Sequence, residues 1–159
     1  MIRKATVNDA SAIAIIYNHY ILNSTFTFEE EVVDESIIIK RLYANEKHQW
    51  WVYEEDGKIL GYAYPSIWKA RTAYRFTVES SLYINFDNQK RGIGTKLYNK
   101  LIQALKKEGF HVILAGISLP NDISVFFHEK IGFKKVAHLK DVGFKFEKWI
   151  DIGYWELKI

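Results

Sequence analysis

One carboxylate lies inside an apolar and hydroxylic run of the sequence. Residues 76–84 are Phe-Thr-Val-Glu-Ser-Ser-Leu-Tyr-Ile, a composition typical of a β-strand, and Glu79 is the charged residue among them. Burial disfavours an ionised carboxylate and raises its affinity for a proton. Glu79 is therefore a candidate general base, with a charge on the exposed face of an edge strand as the alternative interpretation.

A glycine-containing loop follows this run. Residues 89–95 are Gln-Lys-Arg-Gly-Ile-Gly-Thr, and a helical repeat of Ile93, Leu97, Leu101 and Leu105 starts within them. The first amides of a helix are unpaired and lie at the positive end of its dipole, where glycine lets an anion come close. The segment predicts a pyrophosphate site, with tight packing as the alternative.

Two other phosphate-binding patterns are not met. The Walker loop requires Gly-Lys-Ser or Gly-Lys-Thr, which this loop lacks, and Leu97 stands where the dinucleotide fingerprint has its third glycine. Neither a kinase nor a dehydrogenase is favoured. Lys90 and Arg91 would add positive charge beside the predicted pyrophosphate.

The composition favours one globular, cytoplasmic domain that spans residues 1–159. The chain is 48% apolar and 26% charged, and its apolar stretches are too short to cross a membrane. The formal net charge of +3 is too balanced to favour nucleic acid as a partner. The absence of Cys excludes disulfides and a Cys acyl-enzyme, and the His spacings do not match metal ligands, so no metal is expected.

Hydrophobic periodicity predicts elements in the order β-α-α-β-β-β-α-β-α-β-β, a mixed sheet with helices on its faces. Asp56-Gly57 predicts a hairpin turn. The polar stretch 141–148 is expected to connect the last two strands. The predicted strands cover residues 1–5, 49–54, 58–64, 76–85, 111–117, 134–139 and 149–157, and the helices begin near Thr6, Asp34, Ile93 and Asp122.

Several short motifs together resemble one enzyme family. They are Gln89-x-x-Gly92-x-Gly94 after a strand, residues 73–84, Leu119-Pro120-Asn121-Asp122 with Ser124, His128-Glu129 before Gly132-Phe133, and Gly143-Phe144-Lys145. The first motif resembles the coenzyme A pyrophosphate loop of the GNAT superfamily of N-acetyltransferases, and the others resemble its phosphinothricin and methionine sulfoximine acetyltransferase branch. The resemblance implies an α/β (α+β) fold, with a mixed, mostly antiparallel twisted sheet and helices on both faces.

The resemblance also implies a set of residues for acetyl-CoA, the expected co-substrate. The backbone of residues 82–84 would pair with the pantetheine arm, which Asn121 would also contact, and residues 89–95 would hold the pyrophosphate. The predicted cofactor-binding residues are Leu82, Tyr83, Ile84, Gln89, Lys90, Arg91, Gly92, Ile93, Gly94, Thr95, Asn121 and Ser124.

Catalytic and acceptor residues follow from the residues and the resemblance together. Residues 77–80, Thr-Val-Glu-Ser, match the motif whose Glu is the proposed base of this branch, and His128 is a second catalytic candidate or a packed residue. Arg75 would share a face with Glu79 in an unbroken strand and could bind a carboxylate. Phe28, Tyr74 and Thr77 are predicted to line the acceptor site, with ordinary core or interface packing as the alternative for Phe28 and Tyr74.

The expected function is transfer of acetyl from acetyl-CoA to the α-amine of an amino-acid-like small molecule in a ternary complex. Phosphinothricin and methionine sulfoximine are the acceptors that the resemblance implies, and relatives suggest a homodimer. Acetylation of protein N-termini or polyamines is an alternative within the same fold. A non-catalytic acyl-CoA-binding or sensing domain is a third possibility, against which Glu79 argues.

Overall fold

The secondary structure follows the predicted order. The structure, a computed structural model, describes residues 1–44, 47–89 and 91–159. Its elements are Ile2–Lys4 (β1), Ala10–Asn23 (α1), Glu35–Leu42 (α2), Trp51–Glu55 (β2), Lys58–Ile67 (β3), Thr77–Ile84 (β4), Ile93–Lys107 (α3), Val112–Leu119 (β5), Asp122–Ile131 (α4), Lys134–Lys145 (β6) and Lys148–Lys158 (β7). None of the described helices has the length and apolar character needed to cross a membrane.

The strands form one seven-stranded sheet in the order β1-β2-β3-β4-β5-β7-β6. Within the described residues, β4 and β5 run parallel and the other neighbouring strands run antiparallel, which confirms the mixed, mostly antiparallel sheet. The parallel ladder is short: its last pair is Glu79 with Leu114. Beyond that pair the two strands continue without hydrogen-bonding each other, so the sheet is split at its centre.

Helices cover both faces of the sheet, as predicted. The apolar side of α3, with Leu97 and Leu101, packs with Phe133 and Trp155 on one face. The apolar side of α1, with Ile13, packs on the other face. Residues 78, 80, 82 and 84 of β4 face α3, because Val78 and Leu82 belong to that core, and residues 77, 79, 81 and 83 face the side of α1.

The last hairpin differs from the prediction. The polar stretch that was expected to connect two strands is itself mostly strand, because β6 continues to Lys145 across a register shift between Leu139 and Gly143. The turn consists of Phe146 and Glu147, whose φ angles of 51° and 59° match a two-residue hairpin turn. The β6–β7 hairpin is therefore long, and β6 forms an edge of the sheet.

Candidate active site

A cleft of about 410 Å³ lies at the split between β4 and β5. Its walls are the separated parts of these strands and the first turns of α3 and α4. Residues of all four elements line the cleft. The space between β4 and β5 is open because their parallel ladder ends at Glu79 and Leu114. The following residues of the predicted site line the cleft: Leu82, Tyr83, Ile84, Gln89, Gly92, Ile93, Gly94, Thr95, Asn121, Ser124 and His128.

The direction of the β4 backbone follows from its hydrogen bonds at both ends. The amide of Asn85 donates to the Leu60 carbonyl on the side of β3 at 2.9 Å. The carbonyl of Phe76 accepts from the Val112 amide of β5 at 3.2 Å. Because strand residues direct their backbone groups alternately to the two neighbouring strands, the even-numbered residues of β4 face β5 and the cleft.

Leu82 and Ile84 therefore present backbone groups to the cleft, and their contacts with a pantetheine arm stay a prediction. The hydroxyl of Tyr20 donates to the Ile84 carbonyl at 2.6 Å. A ligand can still pair with the Ile84 amide and with the backbone of Leu82. Tyr83 directs its backbone to β3, where it lies opposite Tyr62, so the structure does not support its predicted backbone contact.

The first turn of α3 forms part of the cleft wall. Gly92 is the N-cap residue with φ 75°, a left-handed conformation that favours glycine, and no side chain caps the helix. The next amides, of Ile93, Gly94 and Thr95, precede the first helical hydrogen bond, from Lys96 to Gly92. A Cβ on Gly94 would lie 3.3 Å from a Leu82 methyl group and 3.5 Å from the Phe127 ring. These uncapped amides in a glycine-lined cradle fit a pyrophosphate.

The polar residues before α3 have partners within the protein. Arg91 forms an ion pair with Glu55 of β2 at 2.7 Å, and both side chains are partly exposed. The amide nitrogen of the Gln89 side chain donates to the Tyr20 hydroxyl at 3.3 Å, which ties the loop to the end of β4. Lys90, also predicted to contact the cofactor, lies outside the described residues.

The start of α4 supplies the opposite wall of the cleft. The side-chain oxygen of Asn121 accepts from the Ser124 amide at 3.2 Å and so caps the helix. His128 is buried, and its Nδ1 lies 2.8 Å from the Ser124 carbonyl. A carbonyl only accepts, so Nδ1 carries a proton. Because burial lowers the pKa of His128, the ring is neutral near pH 7 and Nε2 holds a lone pair.

Glu79 is half-buried at the point where β4 and β5 separate. Burial raises the pKa of its carboxyl group. Its Oε1 lies 2.6 Å from the position that a Cβ on Gly116 of β5 would occupy. No Lys, Arg or His side chain of the described residues forms an ion pair with Glu79. Glu79 is therefore a carboxylate with a raised pKa and no cationic partner among the described residues, and it lies beside the cleft.

Comparison with known proteins decides the family. A family model for the acetyltransferase (GNAT) domain matches residues 2–153. The chain belongs to this family. It is 38% identical to phosphinothricin N-acetyltransferase of Streptomyces viridochromogenes over 98% of this chain and 85% of that protein. It is 35% identical to the L-methionine sulfoximine/L-methionine sulfone acetyltransferase of Salmonella typhimurium over 99% of this chain and 94% of that protein.

A solved GNAT structure has the same fold. It is the phosphinothricin acetyltransferase of Sinorhizobium meliloti in complex with acetyl-CoA, which superposes with a TM-score of 0.95 at 31% identity and covers 100% of this chain and 88% of that chain. At this similarity the predicted GNAT fold and the enzyme class are confirmed.

One premise of the predicted acceptor site is wrong in this GNAT domain. Thr72–Tyr74 form a 3-10 turn, and Arg75 has φ −57° and ψ −19°, so no unbroken strand joins Arg75 to Glu79. The Arg75 guanidinium donates to the Thr72 carbonyl at 3.2 Å and lies 4.5 Å from the centroid of the Phe76 ring. Carboxylate binding by Arg75 stays a prediction.

The other predicted acceptor residues lie at different positions. Thr77 begins β4 and shares a face with Glu79. Tyr74 is partly exposed in the 3-10 turn. Phe28 packs on Gly143 of β6, where a Cβ would overlap its ring, and the buried Lys145 donates to the neighbouring Thr27 carbonyl at 2.9 Å. The segment after α1 is therefore docked on the last hairpin, and Phe28 does not line the cleft.

A buried hydroxyl pair that the sequence analysis missed sits at the split. The Ser80 hydroxyl donates to the Leu114 carbonyl at 3.1 Å and accepts a short hydrogen bond from the Tyr98 hydroxyl of α3. Leu114 is the last β5 residue of the parallel ladder. The Ser80 hydroxyl thus binds the carbonyl at which the ladder ends. The periodicity of α3 indicated only that Tyr98 is part of the core.

The described residues contain no group of three or more His, Cys, Asp or Glu side chains arranged to hold a metal.

Proposed function

We propose that this GNAT protein transfers acetyl from acetyl-CoA to the α-amine of an amino-acid-like small molecule such as phosphinothricin or methionine sulfoximine. Two observations support the acceptor class: the similarity to enzymes named for these acceptors covers nearly the whole chain, and the carboxylate of Glu79 lies against Gly116, a residue of the cleft wall. Glu79 carries the proposal, because an ammonium group must lose a proton before its nitrogen can attack a carbonyl.

The residues of the cleft have separate tasks in this proposal. The amides of Gly94 and Thr95 bind the pyrophosphate, and the backbone of Leu82 and the amide of Ile84 pair with the pantetheine arm as a further strand would. When bound, acetyl-CoA supplies the activated acetyl group. Glu79 takes one proton from the acceptor's ammonium group and leaves a nitrogen lone pair, and the second proton that this nitrogen gives up on forming the amide balances the thiolate that leaves.

In this proposal His128 does not act as a proton donor. Its Nδ1–H is used by the Ser124 carbonyl, so the neutral ring offers only the Nε2 lone pair. In this tautomer it supplies no proton to the leaving thiol, and Nε2 can act only as an acceptor.

An acceptor panel tests the proposal. Purified protein and acetyl-CoA are mixed with phosphinothricin, methionine sulfoximine, methionine sulfone, a polyamine and a peptide with a free N-terminus, and release of the coenzyme thiol is followed. Turnover confined to the amino acid analogues is expected. Faster turnover of the peptide or polyamine would contradict the acceptor class, and no turnover with any amine would indicate a binding domain.

We also propose that the protein forms a homodimer through the β6–β7 hairpin. Six large apolar side chains of this hairpin are exposed, and β6 is an edge strand, so the hairpin has the features of an unpaired interface. The side chains are Val136, Leu139, Val142, Phe144, Phe146 and Trp149.

A further inference from the structure

Tyr154 lies beside the proposed base without being part of its strand. Tyr154 of β7 is the partner of Gly116 in the β5–β7 ladder. A Cβ on Gly116 would stand 2.6 Å from Glu79 Oε1 and 3.2 Å from Cε1 of Tyr154. The carboxylate and the phenol ring therefore meet above one glycine, which has no side chain to separate them.

The charge of Glu79 acts on the phenol of Tyr154. Burial raises the pKa of the Tyr154 phenol, and the negative charge of Glu79 raises it further. Glu79 has no cationic partner among the described residues to balance that charge. A half-buried carboxylate and an aromatic ring both attract a cation. The site between Glu79 and Tyr154 is therefore suited to a cation that a ligand would bring.

Trp68 fixes the position of the Tyr154 ring. Trp68 follows β3 and contacts Tyr154 edge to face, with ring centroids 5.2 Å apart and an interplanar angle of 76°. The ammonium group of Lys69 lies 5.4 Å from the centroid of the Trp68 ring and 5.6 Å from that of Tyr74. The ammonium group of Lys69 thus lies over the Trp68 ring. The Tyr154 ring lies next to Glu79.

We propose that Tyr154, held by Trp68, forms with Glu79 the binding site for the acceptor's ammonium group. The ring face attracts the cation through its quadrupole, and Glu79 supplies the opposite charge and then accepts the proton. Tyr154 is in this role a specificity-determining residue, because it favours acceptors that arrive with a positive charge. The inference rests on the proposed function, since it requires an amine acceptor at Glu79.

A matched pair of ligands isolates the ammonium contact. Calorimetry in the presence of coenzyme A, which cannot react, measures the dissociation constants of methionine sulfone and of its des-amino analogue, 4-(methylsulfonyl)butanoic acid. Phosphinothricin and its des-amino analogue form a second pair. Tyr154→Leu should weaken the amino acids about tenfold and change the des-amino analogues by less than about twofold. Tyr154→Phe keeps the ring and should retain the affinity of the amino acids within about threefold.

Three results would overturn the inference. An equal loss for both members of a pair would show that Tyr154 only packs against the acceptor or the fold. A loss in Tyr154→Phe as large as in Tyr154→Leu would assign the effect to the hydroxyl group and not to the ring. If neither amino acid binds the wild-type protein, the proposed function fails first, and the inference fails with it.

Discussion

The carboxylate of Glu79 lies against the backbone of Gly116, with Oε1 2.6 Å from the place of the missing Cβ. A methyl group at this position would displace either the carboxylate or the β5 backbone. Gly116→Ala should therefore lower kcat by about 10- to 100-fold, because misplacing a catalytic group by about 1 Å costs about 10²-fold. Steady-state kinetics at saturating acetyl-CoA check this result, and circular dichroism confirms folding.

A double-mutant cycle identifies the cause of that loss. If Gly116→Ala acts by moving Glu79, it should have little further effect on kcat in the Glu79→Gln background. Additive losses in the double variant would show that the methyl group harms the site independently of Glu79.

Glu79→Gln removes the proposed base with little change in shape. We expect kcat to fall by about 10²- to 10⁴-fold at neutral pH, while acetyl-CoA affinity stays nearly constant. The raised pKa of Glu79 sets the sign of the pH dependence: wild-type activity falls as pH drops through that pKa, at higher pH than for an ordinary glutamate. The variant lacks this limb, and its rate should climb at alkaline pH, where the free amine needs no base.

Near-normal turnover of Glu79→Gln at pH 7 would contradict the assignment. His128 would then be the next candidate, since its Nε2 lone pair can also accept a proton. His128→Phe, which keeps the aromatic packing around Tyr98 and Phe133, would test it.

Gly94→Val should abolish coenzyme A binding. The added side chain fills the cradle against Leu82 and Phe127 and covers the amides that face the pyrophosphate. Calorimetric titration measures the dissociation constant on protein confirmed as folded. Arg91→Ala is the matched control: since Arg91 is paired with Glu55, its loss should weaken coenzyme A by less than about tenfold. An unchanged constant for Gly94→Val would remove the pyrophosphate assignment.

Arg75→Ala should raise the KM of an amino acid acceptor by about tenfold or more and leave that of acetyl-CoA unchanged. The guanidinium has to leave its contacts with Thr72 and the Phe76 ring to reach a carboxylate, and both contacts are exposed. Arg75→Lys keeps the positive charge but loses the pair of parallel N–H donors of the guanidinium group. It should therefore restore KM only in part. Equal turnover of intact and decarboxylated acceptors by the wild type would refute this role.

If the proposed dimer forms, Trp149→Glu should convert it to monomers in sedimentation experiments. Trp149 is 66% exposed and contacts Phe144 across the hairpin, so a charge would enter the proposed interface. Ile15 is similarly exposed, at 68%, on α1, which packs on β3 and β4, so Ile15→Glu is the control and should stay dimeric. A monomeric wild type would remove the proposal.

The sequence predicted the core elements well because their signals are local. The α3 helix has apolar residues at helical spacing, and Asp34 caps α2 by accepting from the Ile37 amide at 3.0 Å. The glycine loop was recognisable because its conformation needs particular residue types, as Gly92 with its positive φ shows.

Predictions failed where tertiary structure overrides local preference. The turn at Phe146 and Glu147 has two positive φ angles but neither Gly nor Asn, so its sequence carries no turn signal. The 3-10 turn at Thr72–Tyr74 leaves Arg75 outside the strand that contains Glu79, which the even spacing of the two residues did not indicate. Gly116 and Tyr154 lie next to Glu79 because of the order of the strands in the sheet. The spacing of these residues along the chain does not indicate that they are close.

The early end of the β4–β5 ladder leaves the centre of the sheet incomplete, and a bound coenzyme would complete it. A ligand that binds only the native state adds free energy to that state, about 2.7 kcal/mol at a concentration one hundredfold above its dissociation constant. Global stability of this polypeptide would then depend on the supply of its co-substrate. A cell short of activated acetyl groups would hold the enzyme in a form that unfolds more readily and reaches proteases sooner, so metabolic state would set its lifetime as well as its rate.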